Sequence, residues 1–222
     1  MFLFIVRHGE CFGNLDAELG PDTALTPLGE AQADFVGERL AELGITHVVS
    51  SPLLRALGTA QRIADKADLA TFGVWMDLRE GNHGDYWCEP RAKLMTTAPK
   101  AILPKELAEA GWLHSTPNNQ AFITRCERVV AAIKGNFTHD DRVAVVTHGI
   151  VGSHLLHLFL GIPLQRQQWF ALSNGSISAL RLVADPFAER PNYELLPPVN
   201  VEVYCVNGQS HLVEPETSEP VP

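Results

Sequence analysis

The chain opens on six apolar residues, Met1-Phe2-Leu3-Phe4-Ile5-Val6, and turns polar at once with Arg7-His8-Gly9-Glu10. A run this short, bounded by charge and glycine, predicts a strand over 2–6 that is buried on both faces. Val143-Ala144-Val145-Val146-Thr147 repeats the design, and His148-Gly149 follows it directly. Further strand-like runs lie at 46–50 (Thr46-His47-Val48-Val49-Ser50) and 177–183, with weaker ones at 72–76 and 199–206. Helical segments lie between most of them. Thr26-Pro27 offers a hydroxyl N-cap with proline at the first helical position, and Gly44 is the matching stop. Ser51-Pro52 repeats that opening, ahead of Leu53, Leu57, Ala60, Ala64 and Ala67 at core-facing helical spacing.

Alternating strands and helices predict an α/β fold of three layers, a mainly parallel central sheet with helices on both faces. The stretch 84–118 breaks the rhythm, with Pro90, Pro99, Pro104 and Pro117 around short helical pieces. It predicts a flap inserted over the C-terminal strand edge, not a second domain. The expected organisation is one domain over 1–213 and a disordered tail over 214–222, rich in proline and glutamate. No internal repeat is present.

Charge narrows the range of partners. With 17 Lys and Arg against 26 Asp and Glu, the net charge is −9. No general basic surface is therefore expected for a nucleic-acid backbone or an anionic membrane, and any anion must be bound locally. The four cysteines, Cys11, Cys88, Cys126 and Cys205, form no Cys-x-x-Cys pair and no compact disulfide framework. A reducing cytosol suits them. The N-terminal apolar run is shorter than a signal-peptide core, and no apolar stretch approaches bilayer length, so a soluble cytoplasmic protein is expected.

Candidate chemistry sits at the strand ends. In an open α/β sheet, ligands occupy the crevice outside the carboxyl ends of the strands, so His8 and His148 are placed to face one pocket. Arg55 falls in the first turn of the helix after Ser51-Pro52, against the positive end of the helix dipole. An anion bound there resolves the conflict; a surface ion pair with a carboxylate is the plainer alternative.

Several blocks stand in a fixed order: Arg7-His8-Gly9-Glu10-Cys11-Phe12-Gly13-Asn14, Leu25-Thr26-Pro27-Leu28-Gly29-Glu30-Ala31-Gln32-Ala33, and Ser51-Pro52-Leu53-Leu54-Arg55-Ala56-Leu57-Gly58-Thr59-Ala60. Leu78-Arg79-Glu80 before Gly84, Val146-Thr147-His148-Gly149, Asn174-Gly175-Ser176-Ile177-Ser178, and Asn207 to His211-Leu212 follow. Together they closely resemble the histidine phosphatase superfamily, the phosphoglycerate mutase-like proteins, over nearly the whole chain.

The resemblance implies a metal-independent, cofactor-free phosphomonoesterase acting on a small phosphorylated metabolite through phosphohistidine. It makes His8 the nucleophile and Arg7, Arg55 and His148 the holders of the phosphoryl oxygens, with Asn14 as a polar contact. Guanidinium and imidazole donors suit this work, because phosphoryl transfer needs in-line placement and charge stabilisation on the equatorial oxygens. His8 must be neutral to attack, and flanking arginines disfavour its protonation. The resemblance also makes Glu80 the general acid, a role that requires it to carry a proton near neutral pH.

The chain departs from the pattern in two places. Many relatives follow this glutamate with Gly-x-Trp-Glu-Gly where this chain has Gly84-Asp85-Tyr86-Trp87-Cys88, which leaves His83 and Asp85 as rival donors. Many carry Gly-Glu-Ser near Asn118-Asn119-Gln120-Ala121, so the second acidic position is neutral here. Glu10 is left out of the catalytic set, with support of the arginines open as its task. His154 and His157 share a helical face without a third ligand, and Cys11 reads as a bystander thiol. Trp87 and Trp112, with Leu94, Met95, Ile102 and Leu103, read as flap core ahead of ligand wall. A phosphoglycerate mutase and a catalytically silent binding relative are the rival functions, and a homodimer is left open.

Overall fold

A computed structural model describes residues 1–81, 84–107, 109–116, 118–164, 169–185 and 200–212, with the backbone alone for 84–88 and 113–116. In chain order the main elements are β1 (Phe2–Arg7), α1 (Phe12–Leu15), α2 (Pro27–Glu42), β2 (His47–Ser50), α3 (Leu54–Lys66), β3 (Phe72–Val74), β4 (Gly84–Cys88) and α4 (Arg91–Thr97). They continue with β5 (Ala101–Ile102), β6 (Trp112–Thr116), α5 (Asn119–Asn136), β7 (Arg142–Thr147), α6 (Gly149–Leu160), β8 (Ile177–Leu182) and β9 (Val201–Gly208). Seven strands form one sheet in the order β5-β3-β2-β7-β1-β8-β9. The first five run parallel, while β8 is antiparallel to β1 and β9 to β8.

Side chains alternate across a strand, and here the alternation feeds two separate cores. Phe4 and Val6 of β1 and Ala144 and Val146 of β7 pack with Val36, Leu40, Leu57 and Ile63 of α2 and α3. Leu3, Ile5, Val143 and Val145 point the other way, onto Val129 and Ile133 of α5 and Leu155 of α6. The three layers expected from the sequence are present. Each of these valine, leucine, isoleucine or phenylalanine side chains contributes roughly 1.5–3 kcal/mol of burial, which explains why the central strands are apolar on both faces.

The helix openings differ in one respect from expectation. Thr26 caps α2 as read, its hydroxyl accepting the Gly29 N–H at 3.0 Å, and Gly44 follows the helix at φ 67°. Ser51, however, is not the cap of α3; Leu53 occupies that position with no side-chain cap bond. The Ser51 hydroxyl is drawn instead to His148.

The segment over 84–118 is also more closely tied to the main fold than a free flap. β4 and β6 pair in an antiparallel ribbon of their own, yet β5 between them joins the main sheet beside β3. Leu94 and Leu103 are buried in the core on the α2 and α3 side, whereas Met95 and Ile102 are exposed. A two-residue strand carries no periodic signature in the sequence. Among the described residues no helix is long and apolar enough to cross a membrane. The proposed tail at 214–222 lies outside the described residues.

Candidate active site

Parallel pairing of β1 with β7 sets Arg7 opposite Thr147, so the next residue of each strand, His8 and His148, leaves the sheet at the same edge. Their rings lie 5.0 Å apart, centroid to centroid, inclined at 61°. Both are buried. The backbone of His8 is held on both sides: its N–H donates to Thr147 at 3.0 Å, while its carbonyl accepts from Gly175 N–H and Asn174 Nδ2, each at 3.1 Å. Because β8 runs backwards beside β1, its leading turn at 174–176 reaches this edge. The next residue, Gly9, can have no side chain, since a Cβ would stand 2.3 Å from the Gly29 carbonyl oxygen at the start of α2.

Local bonds fix the protonation of His8. Its Nδ1 faces the Gly9 carbonyl at 2.6 Å and its Nε2 faces the Arg55 Nε at 3.1 Å. A carbonyl can only accept and a guanidinium only donate, so Nδ1 carries the proton and Nε2 the lone pair. Burial pushes the imidazole well below its ordinary value of 6.5, and the Arg55 and Arg7 charges push the same way. His8 is therefore a neutral imidazole with its lone pair on the nitrogen aimed at Arg55.

The arginine is held from behind. Arg55 enters in the first turn of α3, its Nη1 donating to the Pro21 carbonyl at 2.8 Å and lying 4.0 Å from Asp22 Oδ1. Asp22 also accepts the Leu54 N–H at 2.7 Å. Thr59, one turn along, donates to the Arg55 carbonyl and accepts the Gly9 N–H, tying α3 to the turn after β1. Burial raises the Asp22 carboxyl to about 6, against the opposing pull of the Leu54 N–H and Arg55. Nothing in the sequence marks Asp22, a loop aspartate whose partners lie more than thirty positions away.

Among the described residues, His148 and Arg7 each keep one buried nitrogen open to a ligand. Ser51 Oγ accepts the Leu53 N–H and lies 2.8 Å from His148 Nε2; in the tautomer in which the hydroxyl donates to that nitrogen, the His148 proton sits on Nδ1. Among the described residues, neither His148 Nδ1 nor Arg7 Nε, both buried, has a hydrogen-bond partner. A buried N–H without an acceptor is costly, and an anionic oxygen would supply one to Arg7 Nε and, in that tautomer, to His148 Nδ1. Burial also lowers the pKa of His148, with Arg55 and His8 adding to the effect. Arg7 is anchored by the Leu172 carbonyl through Nη1.

Glu80 and Asn14 complete the set. A crevice of about 420 Å³ is lined by Arg7, His8, Asn14, Arg55 and Glu80, with Cys11 among its other walls. That volume suits a phosphoryl group with a modest organic moiety. The Glu80 carboxylate accepts the Gly81 N–H at 2.8 Å and those of Ile150 and Val151, in the first turn of α6, at 3.4 Å. Asn14 Oδ1 accepts from Cys11 N–H and Asn174 Nδ2, leaving its amide nitrogen to donate. His83 lies outside the described residues, as does the side chain of Asp85.

The remaining sequence candidates take structural places. Glu10 does not support the arginines; its carboxylate accepts the Thr26 hydroxyl at 2.8 Å and so steadies the start of α2. His154 and His157 bond the carbonyls four residues back in α6. Among the described residues no three His, Cys, Asp or Glu side chains gather in a metal-ligating group.

Comparison with known proteins shows the family and the fold. The family model for the histidine phosphatase superfamily, branch 1, matches residues 3–190. A protein of Erwinia tasmaniensis named "Probable phosphoglycerate mutase GpmB" is 32% identical over 182 residues, covering 79% of this chain and 82% of that protein. Its namesake from Salmonella arizonae is 33% identical over 181 residues, with the same coverage. Among solved structures, the alpha-ribazole phosphatase of Shigella flexneri superposes with a TM-score of 0.62 at 26% identity, over 83% of this chain and 92% of that one. The Bacillus stearothermophilus protein YhfR shares the fold at a TM-score of 0.68, over 96% and 99% of the two chains, at 21% identity.

Proposed function

This chain belongs to the histidine phosphatase superfamily, and from that premise we propose that it hydrolyses a small phosphomonoester through a phosphohistidine formed on His8 Nε2. The observation that carries the reading is the state of His8. It is a neutral imidazole whose Nδ1 proton is spent on Gly9 and whose Nε2 lone pair is covered only by the Arg55 N–H, beside the arginine-lined crevice.

In the first step the phosphoryl oxygens take up the donors of Arg7, Arg55 and His148, with Asn14 adding its amide. Arg55 Nε then leaves the His8 lone pair, which attacks phosphorus. As the N–P bond forms, the P–O ester bond breaks, and Glu80 delivers a proton to the departing oxygen. In the second step the Glu80 carboxylate takes a proton from water, the oxygen attacks phosphorus, and the N–P electrons return to Nε2. The arginines supply, at the equatorial oxygens, the charge stabilisation such a transfer needs.

The test is to quench the enzyme during turnover. An acid-labile, base-stable phosphate on His8 is expected; label on Cys11 or on a serine refutes the assignment. A second reading, return of the phosphoryl group to another hydroxyl, is favoured by the mutase names of the curated relatives. Incubation with 3-phosphoglycerate distinguishes them: free phosphate supports the esterase, and isomerised glycerate phosphate the mutase. The physiological ester is sought by a phosphate-release screen across sugar and glycerate phosphates.

A further inference from the structure

Arg125 has no place in the chemistry above and is among the most deeply buried large side chains, at 1% exposure. It stands in the second turn of α5, stacked 4.9 Å over the Phe122 ring. Burying a guanidinium is costly unless a carboxylate accompanies it. Among the described residues none lies within ion-pairing distance of Arg125. The nearby Asp77 carboxylate is taken by Arg128, in two bonds of 2.9 and 3.0 Å. Burial pushes the adjacent Cys126 thiol up to about 12, so it does not neutralise Arg125 as a thiolate.

What Arg125 does hold is backbone. Its Nη1 donates to the carbonyls of Asp77 at 3.3 Å and Arg79 at 2.6 Å, and its Nη2 to that of Glu80 at 3.2 Å. The carbonyl between them, that of Leu78, is taken by the Thr147 hydroxyl at 2.9 Å. All four carbonyls from Asp77 to Glu80 are therefore captured by side chains, three of them by one planar fork. Thr147 immediately precedes His148, so the same set of bonds ties the Glu80 segment to the strand end that carries the second histidine.

We propose that Arg125 is a positioning residue for Glu80, a fork whose fixed geometry sets where the Glu80 carboxylate meets the leaving oxygen. The proposal rests on the reading of Glu80 as proton donor. A planar guanidinium donating to successive carbonyls defines both the position and the tilt of the segment, which an apolar side chain of similar volume cannot do. A misplacement of about 1 Å at a reacting group costs on the order of a hundredfold in rate.

The test compares phosphorylation of His8 in single turnovers by an alkyl phosphate, whose leaving oxygen needs a proton, and by nitrophenyl phosphate, whose leaving group does not. Arg125→Met is expected to slow the alkyl ester by about tenfold to a hundredfold with little change in KM, and nitrophenyl phosphate by less than about threefold. Arg125→Lys should recover part of the loss. In a Glu80→Gln background, Arg125→Met should add less than about threefold, since the group it positions is already gone. Equal slowing of both esters, or losses that multiply in the double variant, overturns the positioning role. If Glu80→Gln alone leaves the alkyl ester unaffected, the proton-donor reading itself falls and this proposal with it. Should Arg125→Met fail to fold, Arg125→Lys, which keeps the charge but loses the fork, carries the same comparison.

Discussion

Asp22 opposes folding at neutral pH, and the size of the effect follows from its surroundings. Its side chain is 5% exposed, one oxygen accepts the Leu54 N–H, and the carboxylate is otherwise buried beside the backbone N–H and the charge of Glu89. Burial is the main reason that its carboxyl rises from an ordinary 3.8 to about 6. The folded protein thus binds this proton more tightly than the unfolded chain, which reverses the usual sign for a carboxylate. The cost is absent below about pH 4, where both states are protonated, grows between 4 and 6, and is complete above 6. At 1.36 kcal/mol per tenfold, it amounts to roughly 3 kcal/mol. Asp22→Asn keeps the oxygen that accepts from Leu54 and removes the charge. The variant should be more stable than wild type at pH 8 by up to about 3 kcal/mol, roughly 5–10 °C in Tm for a chain of this length. The advantage should shrink to nothing near pH 4. Urea melts of both proteins from pH 4 to 8 measure it, and the shared contributions of His8 and His148 cancel in the difference. Turnover of nitrophenyl phosphate should fall about tenfold, because Arg55 loses the anion behind it. A variant no more stable than wild type at pH 8, or an advantage that persists undiminished to pH 4, refutes the reasoning.

Three further outcomes are expected. Dialysis against chelator should leave the rate unchanged and vanadate should inhibit, because Arg7 and Arg55 supply charge that metal supplies elsewhere; recovery of lost activity on adding magnesium or zinc argues decisively against this. The imidazoles of His8 and His148 should show no protonation between pH 8 and 6 by nitrogen-15 NMR, since burial and Arg55 hold both well below 6.5. Because the unfolded chain takes up those protons first, both histidines should reduce stability as the pH falls below 6.5. Gly9→Ala should lower stability by about 1–3 kcal/mol or more and abolish most turnover, as a Cβ 2.3 Å from the Gly29 oxygen forces backbone apart; a normal melt with normal turnover shows that the turn yields more easily than its packing implies.

The strand ends were legible because burial on both faces leaves a continuous apolar run, and the first polar residue after it marks the edge of the sheet. Arg7, His8 and His148 were found that way, and pairing of β1 with β7 places both histidines together. Arg55 was legible from a local conflict with the helix dipole. The supporting groups were not, for a different physical reason. Asp22, Thr59 and Arg125 act through partners thirty to fifty residues away, and a lone aspartate in a loop or arginine in a helix is ordinarily solvated. Ser51 before Pro52 has the pattern of a helix cap, yet tertiary packing sets its hydroxyl against His148 instead. The stretch 84–118 was only partly legible, since β5, which joins the main sheet beside β3, is too short for any period to register.

The contact between Arg55 Nε and His8 Nε2 gives the resting enzyme a form of chemical discretion. An imidazole lone pair near neutral pH is attacked by many electrophiles that cells produce, aldehydes and activated acyl groups among them. Here it is covered by an N–H whose guanidinium is itself braced by Pro21 and Asp22. A carbonyl compound offers that guanidinium little in exchange, whereas a phosphate dianion offers charged oxygens to the same donors. On the proposed mechanism the nucleophile is thus exposed by the group it attacks, and substrate choice begins before any part of the organic moiety has been read.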